Sequence, residues 1–404
     1  MAQLNITLES EILHGLFTSD GRDEAFSKLL ASILNQVLDA QSTEQIGAKR
    51  YERNGERKAY RNGIRERQMT TRIGTITLEI PCHRQGHFET DLFDRYQRSE
   101  QALVLAMIEM VINGVSTRKI QKVTEELCGQ SFSKSTVTVL CKRLDPIIEA
   151  FCNRPLLKHY PFVIVDALYL KVRENARVRS KGLLIAQGIS EDGHREILGF
   201  QISDSESETS WSEFFQSLKN RGLENVDLVV SDNHKGLVKA IGKCFQNVTW
   251  QRCQTHFSRN ILDKTPKRLQ PKLKELLRVM YDSPDLTSAR ATCNWIITEF
   301  EVRAPKAMSV LETGFDDVMA VMSLPLKYRR KLRTTNSVER LNEEIRRRER
   351  VIRIFPNVES VIRLIGALLI EQDEKWSTGR KYFDMSEYYH FIAEHKSTSD
   401  GIAA

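Results

Sequence analysis

Phe162-Val163-Ile164-Val165-Asp166-Ala167-Leu168-Tyr169-Leu170 is an apolar run interrupted by one carboxylate. Its length and its β-branched and aromatic content predict a buried strand. Alternation along that strand puts Asp166 on the pleat face of Phe162, Ile164, Leu168 and Leu170. An ionised carboxylate there is costly unless an inward arginine or a metal ion pairs with it. The residues that follow complete a sheet. Gly182 to Ile189 is predicted as a second strand, Asp192-Gly193 as a turn and Glu196 to Ile202 as a third strand. Glu208 to Asn220 is predicted as a helix with Trp211, Phe214, Phe215 and Leu218 on one face, ended at Gly222. Val226 to Val230 makes a fourth strand, Lys235 to Gly242 a second helix and Val248 to Trp250 a short fifth strand. The order βββαβαβ is that of an RNase H-like α/β core with a mixed five-stranded sheet.

Asp232 ends the fourth strand in Leu228-Val-Val-Ser-Asp232-Asn-His-Lys-Gly236. First and fourth strands are neighbours in this order, so Asp166 and Asp232 can converge, and paired acids on adjacent strands suit a divalent cation. The competing role for Asp232 is a helix N-cap, for which Asn233 is a rival. A third acid is expected from a helix packed at the same sheet edge. Glu339, in Arg333-Thr-Thr-Asn-Ser-Val-Glu-Arg-Leu-Asn-Glu-Glu-Ile-Arg-Arg-Arg348, is the candidate, against a capping box between Asn336 and Glu339. Glu343 and Glu344 are rival acids, but their spacing to Arg347 and Arg348 suits surface ion pairs. Arg346 returns to nearly the face of Glu339 after seven residues and is read, with Arg347, as a DNA-phosphate contact. The 107 residues from Asp232 to Glu339 are too many for one crossover, so an all-α insertion is expected at 257–330.

Cys253-Gln-Thr-His256 is half of a four-ligand zinc site, for which Cys82, His83 and His87 are the other candidates. A packed thiol beside a hydrogen-bonded histidine is the simpler reading, and Trp250 and Trp295 are read as core residues.

The N-terminal half has another character. Residues 8–42 carry helical periodicity broken at Ser19-Asp20-Gly21, predicting two helices. Residues 59–81 read as a small basic β element, with Arg61-Asn62-Gly63 as a hairpin-type turn and a strand stopped by Pro81. From Ser99 to Phe151 three helical pieces follow, separated at Gly114-Val115-Ser116 and Cys128-Gly129, the last capped by Ser133 or Ser135. Helix, tight turn and helix predict a helix-turn-helix. Its last helix would present Lys134, Ser135, Thr136 and Thr138, then Lys142 and Arg143, to base edges and phosphates. An ordinary helical bundle is the alternative.

A chain of 404 residues exceeds one hydrophobic core. The expected division is 1–98 for the first helices and basic β element, 99–155 for the helix-turn-helix, 156–256 for the first part of the core, 257–330 for the insertion, 331–380 for the closing core helices and 381–404 for a polar tail. The excess of 60 Lys and Arg over 53 Asp and Glu is mild, but it gathers in two runs, Lys49 to Arg72 and Lys327 to Arg353, as DNA-binding surfaces do. Seven scattered cysteines argue against a disulfide framework. No apolar stretch is long enough to span a membrane, and the start lacks the basic and apolar regions of a signal peptide, so a cytoplasmic location is expected.

Together these residues resemble the Mutator-type transposases of bacterial insertion sequences. The resemblance runs from about Tyr51 to Trp376 through Tyr60-Arg-Asn-Gly63, Arg95-Tyr-Gln-Arg98, Gly114-Val-Ser-Thr-Arg118, Ser231-Asp232, Gln251-Arg-Cys253, His256, Arg259-Asn260 and Thr334-Thr-Asn with Glu339, Leu341 and Asn342. It implies a DDE site of Asp166, Asp232 and Glu339 on an RNase H-like fold, two Mg2+ or Mn2+ ions, and cleavage followed by strand transfer at terminal inverted repeats. It implies DNA as partner and a dimer or larger assembly. Cys253 and His256 match a family motif to which no metal is assigned, and Pro81-Cys82-His83-Arg84 departs from the more basic run usual after that proline. A metal-dependent nuclease without strand transfer and a non-catalytic DNA-binding regulator are the other readings, the second disfavoured by the three acids.

Overall fold

The structure, a computed structural model, describes residues 6–8, 10–17, 22–52, 55, 57–71, 74–90, 92–93, 99–128 and 131–400. The break read at Ser19-Asp20-Gly21, the Gly129 stop and Arg95-Tyr-Gln-Arg98 lie outside them. The chain forms two compact units, Met1–Arg143 and Leu144–Ala404.

In the first unit, α1 (Ser10–Phe17) and α2 (Arg22–Ile46) precede an antiparallel pair, β1 (Arg61–Thr71) and β2 (Gly74–His83). Leu38 of α2 is buried against Met69, Ile76, Leu78 and Ile80. Asn62-Gly63 is not the turn: Gly63, at φ +83°, lies within β1 where the register shifts between Arg61 and Ile64. A left-handed glycine inside a strand makes a bulge, and the pairing closes instead between Thr71 and Gly74. Nor does Pro81 end β2. It pairs with Ile64 across a two-stranded sheet, where every strand has an open edge that needs no donor. The helices α3 (Gln101–Ile112), α4 (Thr117–Cys128) and α5 (Lys134–Cys141) follow. Gly114, at φ +80°, turns the chain after α3, and Ser133 caps α5 by accepting the Thr136 amide at 3.1 Å.

The second unit opens with α6 (Asp145–Asn153) and a five-stranded sheet: β3 (Phe162–Glu174), β4 (Arg177–Ile189), β5 (Arg195–Ser203), then α7 (Glu208–Asn220), β6 (Leu228–Ser231), α8 (Lys235–Cys244) and β7 (Thr249–Arg252). The spatial order is β5-β4-β3-β6-β7, antiparallel through the first three and parallel from β3 to β7. On one face Val163, Val165, Leu184 and Val229 pack against Trp211, Phe214, Phe215 and Leu237 of α7 and α8. On the other, the Phe162 ring lies 4.8 Å from Tyr388 and 6.0 Å from Tyr328. The opposite facing of Phe162 and Val163 is strand alternation expressed in packing. β3 and β4 run beyond the predicted strands because Asn175 and Ala176, both at positive φ, form the two-residue turn a hairpin's twist demands.

After β7 every element is helical: α9 (Gln254–Leu262), α10 (Gln270–Tyr281), α11 (Leu286–Phe300), α12 (Pro305–Thr313) and α13 (Phe315–Met319) share a core of Phe257, Leu277, Ile296, Phe300 and Phe315, and α14 (Leu326–Leu332) follows. Trp295 is not part of that core. The buried line of α11 is Cys293, Ile296 and Phe300, and its neighbour in sequence, about 100° around the helix, is 51% exposed. Trp250 is half-buried against the sheet core, its Nε1 donating to Ser231 Oγ at 2.9 Å. α15 (Asn336–Ile352), α16 (Val358–Ser377) and α17 (Ser386–Asp400) close the unit. Arg363 of α16, nearly buried, makes a two-pronged pair with Asp145 at 2.6 and 2.7 Å. The segment read as a polar tail buries Phe383, Met385 and Tyr388, and the Tyr388 hydroxyl donates to Asp227 Oδ2 at 2.6 Å. Among the described residues no helix is long and apolar enough to cross a membrane.

Candidate active site

The parallel register pairs Ile164 with Val230, so Asp166, two residues on in β3, faces the end of β6, where Asp232 directly follows the last strand residue and is near enough to affect its charge. Such strands are about 4.8 Å apart. Asp166 accepts the Ala167 amide on Oδ1 at 2.9 Å and the Asn342 side-chain amide on Oδ2 at 2.8 Å. Burial drives its carboxyl up to about 7; Asp232 and Glu339 push the same way, while the Ala167 amide and His256 oppose them. Asp232 Oδ1 accepts the His234 amide at 3.2 Å, so the N-cap-like bond expected as an alternative exists without occupying the whole carboxylate.

Glu339 comes from the first turn of α15. The helix starts at Asn336 with Thr335 before it, and the capping box between Asn336 and Glu339 does not form. The Glu339 carboxylate instead lies 3.3 Å from the Thr335 hydroxyl and 3.7 Å from His256 Nε2. Thr335 is held in turn by Cys253: its amide and its hydroxyl each lie 3.4 Å from Sγ. The Cys253 amide donates to Ser231 O, the residue before Asp232, at 2.8 Å. One buried cysteine thus ties the end of β6 to the start of α15. Cys253→Ala should therefore loosen Glu339 and cut turnover on DNA by roughly 10-fold, as loss of a supporting residue around a ligand does, with Cys253→Ser recovering much of it. Equal rates for wild type and Cys253→Ala, at matched melting temperature, would remove it from that role.

Cys253, His256 and Glu339 present ligand atoms within 4.8 Å of one another. Burial alone would raise the Cys253 thiol, but hydrogen bonds from His256 and Thr335 outweigh it and hold it below its ordinary value. The same Cys253 hydrogen bond lifts His256 to about 9 against the effect of burial. Among the described residues this group has three members, and Cys82, His83 and His87 are not among them. His83 belongs to the first unit, with its Nε2 2.9 Å from Ser42 Oγ.

Two further polar residues, neither of them expected as a site residue, join the group. Asn342 lies one turn after Glu339 on the same face of α15, and its Oδ1 is buried with no hydrogen-bond partner. Glu206, nearly buried, lies 3.3 Å from His234 Nδ1 and accepts Trp211 Nε1 at 3.2 Å; burial raises its carboxyl, and Asp232 adds to the rise. In the sequence Asn342 stands out only through the motif it shares with Glu339 and Leu341, and Glu206 is one acid among the polar residues that precede α7.

The basic half of α15 departs from expectation. Arg346 is partly exposed and pairs with Glu349 at 2.5 Å. Arg347 is exposed and pairs with Glu344. Arg348, expected in a surface pair, is buried, with Nη1 2.6 Å from Glu344 Oε2 and 3.2 Å from the Glu344 carbonyl. Its place next to the buried Leu341 and Ile345 row turns a spacing typical of surfaces into a packed contact. Lys134, Ser135, Thr136, Lys142 and Arg143 lie in the other unit, exposed at α5 and just after it.

Residues 1–379 match the family model described as "Transposase, Mutator family". The chain belongs to the Mutator family of transposases. It is 45% identical over 391 residues to the transposase for insertion sequence element IS256 in transposon Tn4001 of Staphylococcus aureus, covering 96% of this chain and 100% of that one. It is 43% identical to the transposase for ISRM5 of Rhizobium meliloti, over 92% and 93% of the two chains. With the transposase for IS1081 of Mycobacterium tuberculosis the identity is 40%, over 88% and 86%. Family relatives so similar along their whole length make a transposase function the reading for this chain as well.

Proposed function

We propose that this chain is a DDE transposase with an RNase H-like core, which binds the terminal inverted repeats of its element, cleaves there and joins the freed end to a second phosphodiester. The observation that carries the proposal is the gathering of Asp166 on β3, Asp232 just past the end of β6 and Glu339 at the start of α15 close enough to act on one another's charge. The donor set fits divalent cations. Three carboxylates influence one another in a half-buried site, and among the described residues no lysine or arginine forms an ion pair with any of them. Asn342 holds Asp166 with one side-chain atom while its other stays unpartnered. Asp166, Asp232 and Glu339 would hold two Mg2+ or Mn2+ ions, which when bound supply Lewis acidity at the scissile phosphate and a lowered pKa for the attacking hydroxyl.

The chain's own residues then do the positioning. Asn342 fixes the rotamer of Asp166. Cys253 and Thr335 fix Glu339 relative to the end of β6. His256, carrying a proton, stands against Glu339 and balances part of the acidic charge before DNA arrives. Arg346 can exchange Glu349 for a DNA phosphate, because its guanidinium is partly open to solvent.

End recognition is assigned to the first unit, with α5 as the helix that enters the major groove. Lys134 and Arg143 are exposed there, Arg143 donating to Gln101 Oε1 at 3.2 Å. In the full chain, Lys134→Ala with Arg143→Ala should weaken binding to a duplex carrying the element's end and flatten the salt dependence by about two charges. Unchanged affinity and unchanged salt dependence would place recognition elsewhere. Cleavage itself is tested by incubating the chain with that duplex and Mg2+, and a chain that leaves the duplex intact would overturn the reading.

A further inference from the structure

Away from the acids, Arg195, Lys331, Arg380, Lys381 and Tyr382 line a cavity of about 710 Å3. We propose that this cavity is a second DNA site, a clamp for the phosphodiester backbone of the strand passing the active site. The inference rests on the transposase reading and names a part of its substrate.

The cavity is built rather than incidental. The Gly193 carbonyl accepts the amides of Tyr382 at 2.7 Å and Phe383 at 3.1 Å. Gly193 sits at φ +83°, and a Cβ there would fall on the Phe383 carbonyl, so only glycine allows this close approach. The Arg195 guanidinium is held between two rings, 4.4 Å from Trp376 and 4.7 Å from Tyr382. Lys331 Nζ lies 4.3 Å from the centre of the same Tyr382 ring and donates to the Tyr382 carbonyl at 2.6 Å. Aromatic rings position these cations without neutralising them.

Among the described residues no carboxylate forms an ion pair with Arg195, Lys331, Arg340, Arg380 or Lys381. Asp384, the one acid on the lining, accepts the amide and hydroxyl of Ser386 on Oδ1, and the charges of Lys327 and Lys381 lower its carboxyl further. Burial lowers Arg195 first and Arg340 adds to it; burial, Arg195 and Arg380 do the same to Lys331. Like charges gathered in this way are costly until an anion arrives. The rings are already covered by cations, which leaves backbone phosphate, not a stacked base, as the ligand.

The location suits a substrate that also reaches the acids. Arg195 pairs with Ile189 and Ile189 with Phe162, four residues before Asp166 on β3. That is about 13 Å along the strand and about 10 Å across it, a few nucleotides of backbone. Arg340 directly follows Glu339 on α15.

The test is Arg380→Ala with Lys381→Ala in the full chain, both side chains being exposed and outside the acid cluster. Affinity for a fluorescent 40-base-pair duplex carrying the element's end and its flank is followed between about 50 and 200 mM NaCl. The expected result is weaker binding with a salt slope smaller by about two. Lys331→Ala should lower the slope by about one more. Affinity and slope equal to wild type would overturn the clamp. Asp166-dependent cleavage by the same preparations separates the two failures: if it is present while binding is unchanged, only the clamp is wrong, whereas its absence from wild type counts against the transposase reading.

Discussion

On the proposed mechanism Asp166→Asn, Asp232→Asn and Glu339→Gln should each reduce DNA cleavage by roughly 10³-fold or more while end binding survives, since each replaces a carboxylate by an amide of similar shape and loses several kcal/mol at the reacting phosphate. Glu339 is the sharpest of the three cases. With no capping box at the start of α15, Glu339→Gln has no helix cap to lose, so activity should fall while the melting temperature holds. Asp166 adds a pH signature. Its carboxyl titrates at about 7 in the folded chain against an ordinary 3.8, so the native state binds its proton more tightly than the unfolded one. That contribution is fully present below about pH 4 and is lost as pH rises through about 7. In EDTA, Asp166→Asn should therefore melt near wild type at pH 4 and a few °C above it at pH 8. Adding Mg2+ should raise wild type and leave the variant unmoved. A pH-independent difference would mean that Asp166 carries no such strain.

The second large effect separates Arg346 from Arg348. Arg346→Ala should lower cleavage or joining by roughly 10-fold or more with little change in stability, because it removes the proposed phosphate contact and one solvent-accessible ion pair. Arg348→Ala should do the reverse. Its buried guanidinium braces Glu344 and the α15 backbone, and its removal should cost roughly 1–3 kcal/mol, a fall of several °C in melting temperature, with activity per folded molecule retained. Steady-state turnover alongside thermal melting distinguishes the two. Similar profiles for both variants would make this run a diffuse basic surface.

The contrast between those neighbours shows where sequence reading stops. The inner parts of strands β3 to β6 were legible because buried strands are largely apolar runs, and α7 because its aromatic residues share one face; β7, Thr-Trp-Gln-Arg, carries no such run. The outer half of the β3–β4 hairpin was not, since Arg177 to Ser180 are exposed and Asn175-Ala176 lacks the glycine that marks such a turn. Asn62-Gly63 had the right chemistry for a turn, but positive φ at one glycine serves a bulge equally well. Asp166 announced itself by standing in an apolar strand. The contacts of Asn342 and Glu206 were not legible, because Asn342 reaches β3 and Glu206 reaches His234, and nothing local to either residue fixes that. Trp295 failed in the opposite sense, an aromatic residue on the open side of a helix whose buried line is one position away. Periodicity reports burial; it does not report what lies across the interface.

The most direct test of the central claim is a single reaction with an end-labelled duplex carrying the element's terminus, Mg2+ and the full chain, its products resolved by strand length. The account predicts both a strand cut at the element's end and a longer strand in which that end is joined to a second phosphodiester, each absent in EDTA and with Asp166→Asn. Cut strands without any joined product would contradict it, as would either product persisting in Asp166→Asn.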